Sequence, residues 1–425
     1  MTQTAQPATA APPTGAVLAP PAPGAATTPA TYTEDVPKLL NRWQVLAVAA
    51  CVAFAVLSTV VQLLAYQANG RAADNTEQVV RVQKIQSSLL RADALATNAF
   101  LVGGLEPADA RAAYESAIND VLRLVTDAAD AQPADRAVLA DLNVAVRTYT
   151  TAVAQARDYN RQNLVIGIAY LNQASTSLRA DALPIVKALV DANSARAGDE
   201  MDAQHPFWLL GLGALAVVVL WWVNRSIAQR FRRRVNVGVA GAAALVVVLT
   251  LLASVHASSR NSDNAETRAG PYAGAVNEAS ARTAANDAKA QESQGLINRG
   301  SGPAYEVKWQ AAADVVSKSA SPATLRLWNE YVAAHQAIRA QDDDGQWDAA
   351  RGLATSTDPA GATALLTEVD SSAERVVTTS ADEATSAFRS GGFTSLALIV
   401  LTLLGGLVAA AASTWGVNQR RREYS

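Results

Sequence analysis

Four stretches of this chain, residues 44–66, 207–223, 235–257 and 393–415, contain no Asp, Glu, Lys or Arg and run for 17 to 23 residues each. A helix needs about 20 apolar residues to cross the hydrocarbon core of a bilayer, so each stretch reads as a transmembrane helix. Everything else in the chain has to be arranged around four crossings. Trp43, Trp208, Trp221, Trp222 and Trp415 sit at the ends of these stretches, where an indole prefers the headgroup region. Overall only 17% of the residues are charged, below the roughly 25% of an ordinary soluble domain. A simple soluble enzyme is excluded.

The charged residues set the expected orientation. The connector 224–234 carries Arg225, Arg230, Arg232, Arg233 and Arg234 with no acid, and the end 416–425 carries Arg420, Arg421 and Arg422 against Glu423. Basic residues beside membrane ends mark the cytoplasmic side. Residues 67–206 hold 13 basic and 17 acidic residues, and 258–392 hold 12 and 18. These two long acidic segments are therefore expected outside, with both termini in the cytoplasm. The first span follows 43 residues and exceeds the 7–15-residue core of a signal peptide, so it reads as an uncleaved anchor. The single cysteine, Cys51, lies in that span, so the exported segments stand on packing without an intrachain disulfide.

The expected order is a disordered cytoplasmic tail (1–43), a first span (44–66), a helical bundle (67–206), a second span (207–223) and the basic connector (224–234). A third span (235–257), a second bundle (258–392), a fourth span (393–415) and a basic cytoplasmic tail (416–425) complete it. Residues 1–33 are Ala-, Pro- and Thr-rich without charge, and bury too little to offset chain entropy. In 67–206, Val82, Ile85, Leu89, Ala92 and Leu95, then Ile118, Val121, Leu122 and Val125, recur at helical spacing. Gly103-Gly104, Pro107, Pro133 and 160–163 divide the pattern. A helix of about 35 residues spans on the order of 50 Å, so the outer helices should project from the membrane with the middle ones folded back. The outer helices are expected to continue into the spans.

Residues 258–392 repeat this plan. Leu101-Val102-Gly103-Gly104 before Pro107 corresponds to Leu296-Ile297-Asn298-Arg299-Gly300 before Pro303, Pro133 to Pro322, and Tyr149 to Tyr331. The reading is a tandem duplication. The fold class is an all-α membrane protein with four transmembrane helices and two extracytoplasmic up-and-down four-helix bundles in tandem.

A span, a bundle and a return span resemble the ligand-binding half of chemotaxis receptors. The turn Asp344-Gly345-Gln346-Trp347-Asp348-Ala349-Ala350 looks like one common in those bundles. No HAMP-like linker, kinase or methyl-accepting coiled coil follows either bundle. The whole-chain plan is similar to the GlnX-type actinobacterial four-span membrane signalling proteins. That resemblance implies relay of an amino-acid signal from an extracytoplasmic solute-binding lipoprotein (GlnH-like) to a cytoplasmic Ser/Thr kinase (PknG-like). It transfers no functional residue.

Catalytic chemistry finds no support. His205 and His256 abut membrane ends, and His335 lies on an Ala-rich helix beside Tyr331 as a bundle residue. No HExxH, nucleophile elbow, Cys/His cluster or phosphate loop is present. Gly211-Leu212-Gly213 lies inside a span and cannot open a dinucleotide fold. Placing Gly345 at the sixth position of a calcium loop puts Ala340 first and Arg351 twelfth, where a bidentate Glu is needed, so Asp342-Asp343-Asp344 reads as a solvated turn. The spans lack the ionisable residues of an ion pathway. They contain small residues suited to close packing: Gly238, Gly241 and Ala242 in the third, Gly405, Gly406, Ala409 and Ala410 in the fourth.

The function expected is transmembrane signal relay without catalysis, cofactor, metal or nucleic acid, in a bacterial cytoplasmic membrane. The alternative is an envelope scaffold. Candidate cytoplasmic partner contacts are Arg230, Arg232, Arg233, Arg234, Arg420, Arg421 and Arg422. Candidate extracytoplasmic contacts are Trp309, Trp328 and Trp347, because aromatic residues dominate interface hot spots. Pairing of two chains into a homo-oligomer is left open.

Overall fold

The computed structural model describes residues 36–102, 106–162, 165–231 and 235–422, and every regular element among them is helical. The expected cytoplasmic tail to residue 35 and Arg232, Arg233 and Arg234 lie outside the described residues.

The first helix, α1 (Val36–Val102), is a single run of 67 residues, about 100 Å long at 1.5 Å per residue. Its N-terminal part is the first apolar crossing, and its C-terminal part is the first helix of the domain beyond. Helix α2 (Ala108–Ala131) folds back against it, and after a 3₁₀ turn that Pro133 opens, α3 (Arg136–Arg161) runs outward again and packs on the helix that follows. The returning helix is built from α4 (Ile166–Ser177), a π turn (Leu178–Ala182) and α5 (Leu183–Met201). After a break at 202–205, α6 (Pro206–Phe231) crosses back, with proline at its first position, where a missing N–H costs nothing.

The second half is also wholly helical, but its π turn lies in the outgoing helix rather than the returning one, and a short extra helix precedes the return. Helix α7 (Val237–Thr267) runs through a π turn (Arg268–Tyr272) into α8 (Ala273–Ile297) without a break. Helices α9 (Gly302–Ser319), α10 (Pro322–Asp343), α11 (Trp347–Thr355) and α12 (Ala362–Arg389) precede the last crossing, α13 (Gly392–Arg422). The expectation of continuous outer helices therefore needs correction. Both outgoing helices are continuous, but both returning ones are interrupted at the membrane. Pro206 ends one hydrogen-bond ladder, and Gly391, at φ 66°, supplies the left-handed residue that ends the other.

Four helices are long and apolar enough to cross a membrane. In the crossing region α1 packs on α6 and α13, and α7 packs on the same two, which closes a four-helix ring. Small residues permit the close approaches: a Cβ on Gly238 would meet Ala412 O at 2.4 Å and Gly416 Cα at 2.6 Å, and one on Gly406 would meet Ala55 Cβ at 2.5 Å. Gly241 faces open space instead and belongs to no such contact. Outward residues such as Leu57, Leu64, Leu215, Leu252 and Leu404 are exposed, as a lipid-facing surface requires.

Beyond the membrane, Val82, Ile85 and Leu89 of α1 pack with Val121, Val125, Leu142, Tyr149, Leu171 and Leu178 as one core. The second core is different. Helix α8 offers mainly alanine, Ala281, Ala284, Ala285 and Ala288, and the space is filled by Trp309, Trp328 and Tyr331. Trp309 and Trp328 are buried, 6% and 1% exposed, so neither presents a docking surface. Trp347 is half-buried: its Nε1 donates to Leu296 O at 2.8 Å, and Arg299 and Arg351 lie over its ring.

Candidate functional site

Helices α1 and α8 lie side by side. Asn264 meets Asn69 at 3.0 Å, and Gln83 Nε2 donates to Val276 O at 3.3 Å, so the contacts climb together and the two helices run in parallel. Helix α12 runs antiparallel to α1: Arg389 pairs with Asp74 and Glu77, Arg91 with Asp370, and Asn98 Nδ2 donates to Thr363 Oγ1 at 3.4 Å. Polar contacts between the two halves thus run the length of the domain as a seam, with Asn172 of α4 and Asn298 at the end of α8 exchanging amide contacts at 2.7 and 3.2 Å near the far end.

Two charge clusters hold the middle of the seam. Asp370 is buried at 4% side-chain exposure, accepts from Arg282 Nε at 2.8 Å and Nη2 at 2.9 Å, and takes further donors from Arg91 at 2.8 Å and Asn286 at 2.9 Å. Burial opposes its ionisation, but the Arg282 bonds, then the charges of Arg282 and Arg91, hold its pKa below the ordinary carboxylate value. Arg91 comes from the first half and Arg282 from the second, so one carboxylate ties three helices. In the other cluster the fully buried Asp93 accepts from Ser175 Oγ at 2.7 Å and Arg179 Nη1 at 2.8 Å, and Arg179 Nη2 reaches across to Asp287 at 2.5 Å. Arg179 lies in the π turn of the returning helix. Such turns are frequent at functional positions.

Arg91 divides two openings along this seam. On one side lies a groove of about 430 Å³ between the halves, with Lys84, Arg123, Arg282 and Glu374 on its walls. On the other is a smaller cavity of about 50 Å³ reaching Asn98, Asn286, Lys289 and Thr363. Asn98 Oδ1 and Gln83 Oε1 are buried without a protein partner, unlike the polar groups of a finished core. A contact that changed the Arg91–Asp370 pair would alter how α1 sits on α12.

A second network lies inside the Trp-rich core. His335 stands between Glu292, 2.7 Å from Nδ1, and Glu306, 3.0 Å from Nε2, with its ring stacked 3.7 Å from that of Trp309. Glu292 also receives Lys289 Nζ at 2.6 Å and Tyr331 OH at 3.1 Å. Burial alone would raise its pKa; Lys289 and His335 bring it down to about 2. His335 is the bundle residue the sequence indicates, in a more highly charged setting than its Ala-rich surroundings imply.

Residues 68–202 match the family model of the actinobacterial sensor domain. The match covers the distal part of α1 through α5 and supports an actinobacterial sensor protein with a signal-sensing role. No curated protein and no solved structure matches the chain.

Among the described residues no group of three His, Cys, Asp or Glu side chains is arranged to hold a metal ion. Asp342 and Asp343 pair with Arg339, and Gly345 makes the turn at φ 75°. Of the basic partner-contact candidates, Arg230 lies in the last turn of α6, and Arg420, Arg421 and Arg422 end α13. These belong to the membrane end opposite the seam. The seam residues Arg91, Asp93, Arg179, Arg282, Asp287 and Asp370 were not singled out by sequence. One signal was present: Asp93 occupies the same helical stripe as Leu89, Ala92 and Ala96, where a carboxylate needs a buried partner.

Proposed function

We propose that the protein is a transmembrane signal relay in a bacterial cytoplasmic membrane, with both termini inside. It senses a cue outside and passes it to a cytoplasmic Ser/Thr kinase of the PknG kind. The cue arrives on a solute-binding lipoprotein of the GlnH kind, loaded with an amino acid. The observation that supports this reading is the pair of unbroken helices, α1 and α7–α8, each crossing the membrane and entering the domain, packed side by side and tied at a charged seam through Asp370 of α12 and Arg179 of the returning helix. A domain-side contact that prefers one setting of that seam would shift helices whose other ends face the cytoplasm. A shift of about 1–2 Å is the usual scale of such transitions. The ligand moves the equilibrium only as far as it binds the two settings differently.

The test is affinity capture of the full chain from native membranes, for wild type and for Arg91→Ala. Wild type is expected to bring down both a solute-binding lipoprotein and the kinase, and R91A to change kinase recovery severalfold while the lipoprotein still binds. Recovery of cell-division or wall-synthesis proteins with neither of these partners overturns the relay in favour of a scaffold.

A further inference from the structure

At the membrane-distal tip of the first half, a pocket of about 170 Å³ opens between the end of α1, the start of α2 and the end of α3. Ala99, Phe100 and Ala154 form its apolar wall, and three arginines, Arg111, Arg157 and Arg161, dominate the polar one. At about 10–15 Å³ per water-sized group it takes a molecule of on the order of ten non-hydrogen atoms. All of it lies within residues 68–202, the segment that matches the sensor-domain family.

Arg157 forms the floor. Its side chain is 14% exposed, Nη2 donates to Glu106 Oε1 at 2.8 Å, and the guanidinium lies 4.1 Å over the ring of the buried Tyr114. Held from two sides, it keeps one orientation, and among the described residues its Nε and Nη1 have no acceptor. Arg111 and Arg161 stand at the rim, 54% and 53% exposed. Arg111 uses only Nε, on Glu115 Oε1 at 2.8 Å, and Arg161 only Nη2, on Asp158. Each of the three therefore has N–H groups to spare, in the planar fork that fits a carboxylate. Against the three guanidiniums the lining sets two carboxylates, Glu106 and Asp158, which leaves one positive charge in excess. Glu115 stands outside the lining and is 54% exposed, so solvent screens its effect.

We propose that this pocket binds a small organic monocarboxylate, with its carboxylate between Arg111 and Arg157 and its carbon skeleton against Phe100 and the two alanines. The single excess charge matches one carboxylate. An inorganic anion would satisfy the arginines but leave the apolar wall without a contact, whereas a ligand site characteristically joins an apolar lining to a few convergent polar groups. Bound there, the molecule bridges the tips of three helices, α1 among them, at the end farthest from the membrane. It is an input separate from the lipoprotein, and the site does not rest on the relay or its partners.

The experiment uses the full chain, purified in detergent, in calorimetric titrations with propionate, hexanoate, benzoate and phenylacetate, each beside its neutral amide, and with inorganic phosphate. The expected result is saturable one-to-one binding of at least one acid, no binding of its amide or of phosphate, and binding about tenfold or more weaker in Arg157→Gln. Ala154→Leu fills the pocket from an exposed position of α3 and leaves the arginine contacts in place. It is expected to abolish binding with an unchanged melting temperature, and it decides the matter should R157Q fail to fold. Failure of all four acids to bind, equal binding of an acid and its amide, saturable binding of phosphate, or equal binding by A154L and wild type each overturns the proposal.

Discussion

Glu292 has donors on both oxygens, and its depressed pKa sets a direction for stability. A carboxylate whose folded pKa lies below its unfolded value contributes stability above the unfolded pKa, about 4.3, and loses it as pH falls through the folded one. Here that window runs from roughly pH 5 down to about 2. Glu292→Gln leaves Lys289 buried without its counter-charge, a change that costs about 3–5 kcal/mol in comparable pairs. Thermal melts of the solubilised chain should show a wide gap between wild type and E292Q at pH 6 that narrows steadily toward pH 2. A gap independent of pH would mean that the charge on Glu292 does not carry the stability. Tyr331 and Tyr149 were legible as a matched pair, and the structure gives the match a chemical meaning. Tyr149 OH lies 3.4 Å from Asp93 on the first helix of its half, and Tyr331 OH lies 3.1 Å from Glu292 on the first helix of the other. The carboxylates themselves were not legible as partners, because nothing in spacing alone says which stripe of α3 or α10 faces them.

The spans were legible because an uninterrupted apolar run has one reading in a bilayer. Their packing was less so, since glycine is common in any small-residue span. Gly238 and Gly241 separate the two cases. Gly238→Leu drives a side chain into the backbone of α13, while Gly241→Leu enters open space. G238L should lower the melting temperature of the detergent-solubilised chain by several degrees, and G241L should stay within about a degree of wild type. Equal effects would remove the α7–α13 contact as a determinant of packing. Neither π turn was anticipated, although the clue was there: Pro271 lies inside one and Pro184 follows the other. Proline removes an N–H and crowds the carbonyl four residues back, and a widened turn relieves both inside an otherwise continuous helix.

Across the whole molecule, the expected orientation follows from basic residues at one membrane end, and the sole cysteine makes it simple to test. In a Cys51→Ala background, single cysteines replacing Ala112, Ser317 or Gln419 occupy exposed positions. A membrane-impermeant maleimide applied to intact cells should label the first two, and the third only after the membrane is opened. The reverse pattern would invert the protein and with it the proposed relay. A tandem duplication does not by itself say how the two halves associate. The polar character of that association depends on pairs more than a hundred residues apart, such as Arg91 with Asp370, 279 residues on, which no local pattern announces.

The unequal treatment of outgoing and returning helices has a mechanical consequence. Each half owns one stiff strut and one jointed arm. A stroke along α1 or α7–α8 reaches the far end of its own crossing undiminished, whereas α6 and α13 can pivot at 202–205 and at Gly391 without following. Under the proposed relay, a movement of the sensor domain would become relative sliding of neighbouring crossings rather than a rigid tilt of all four.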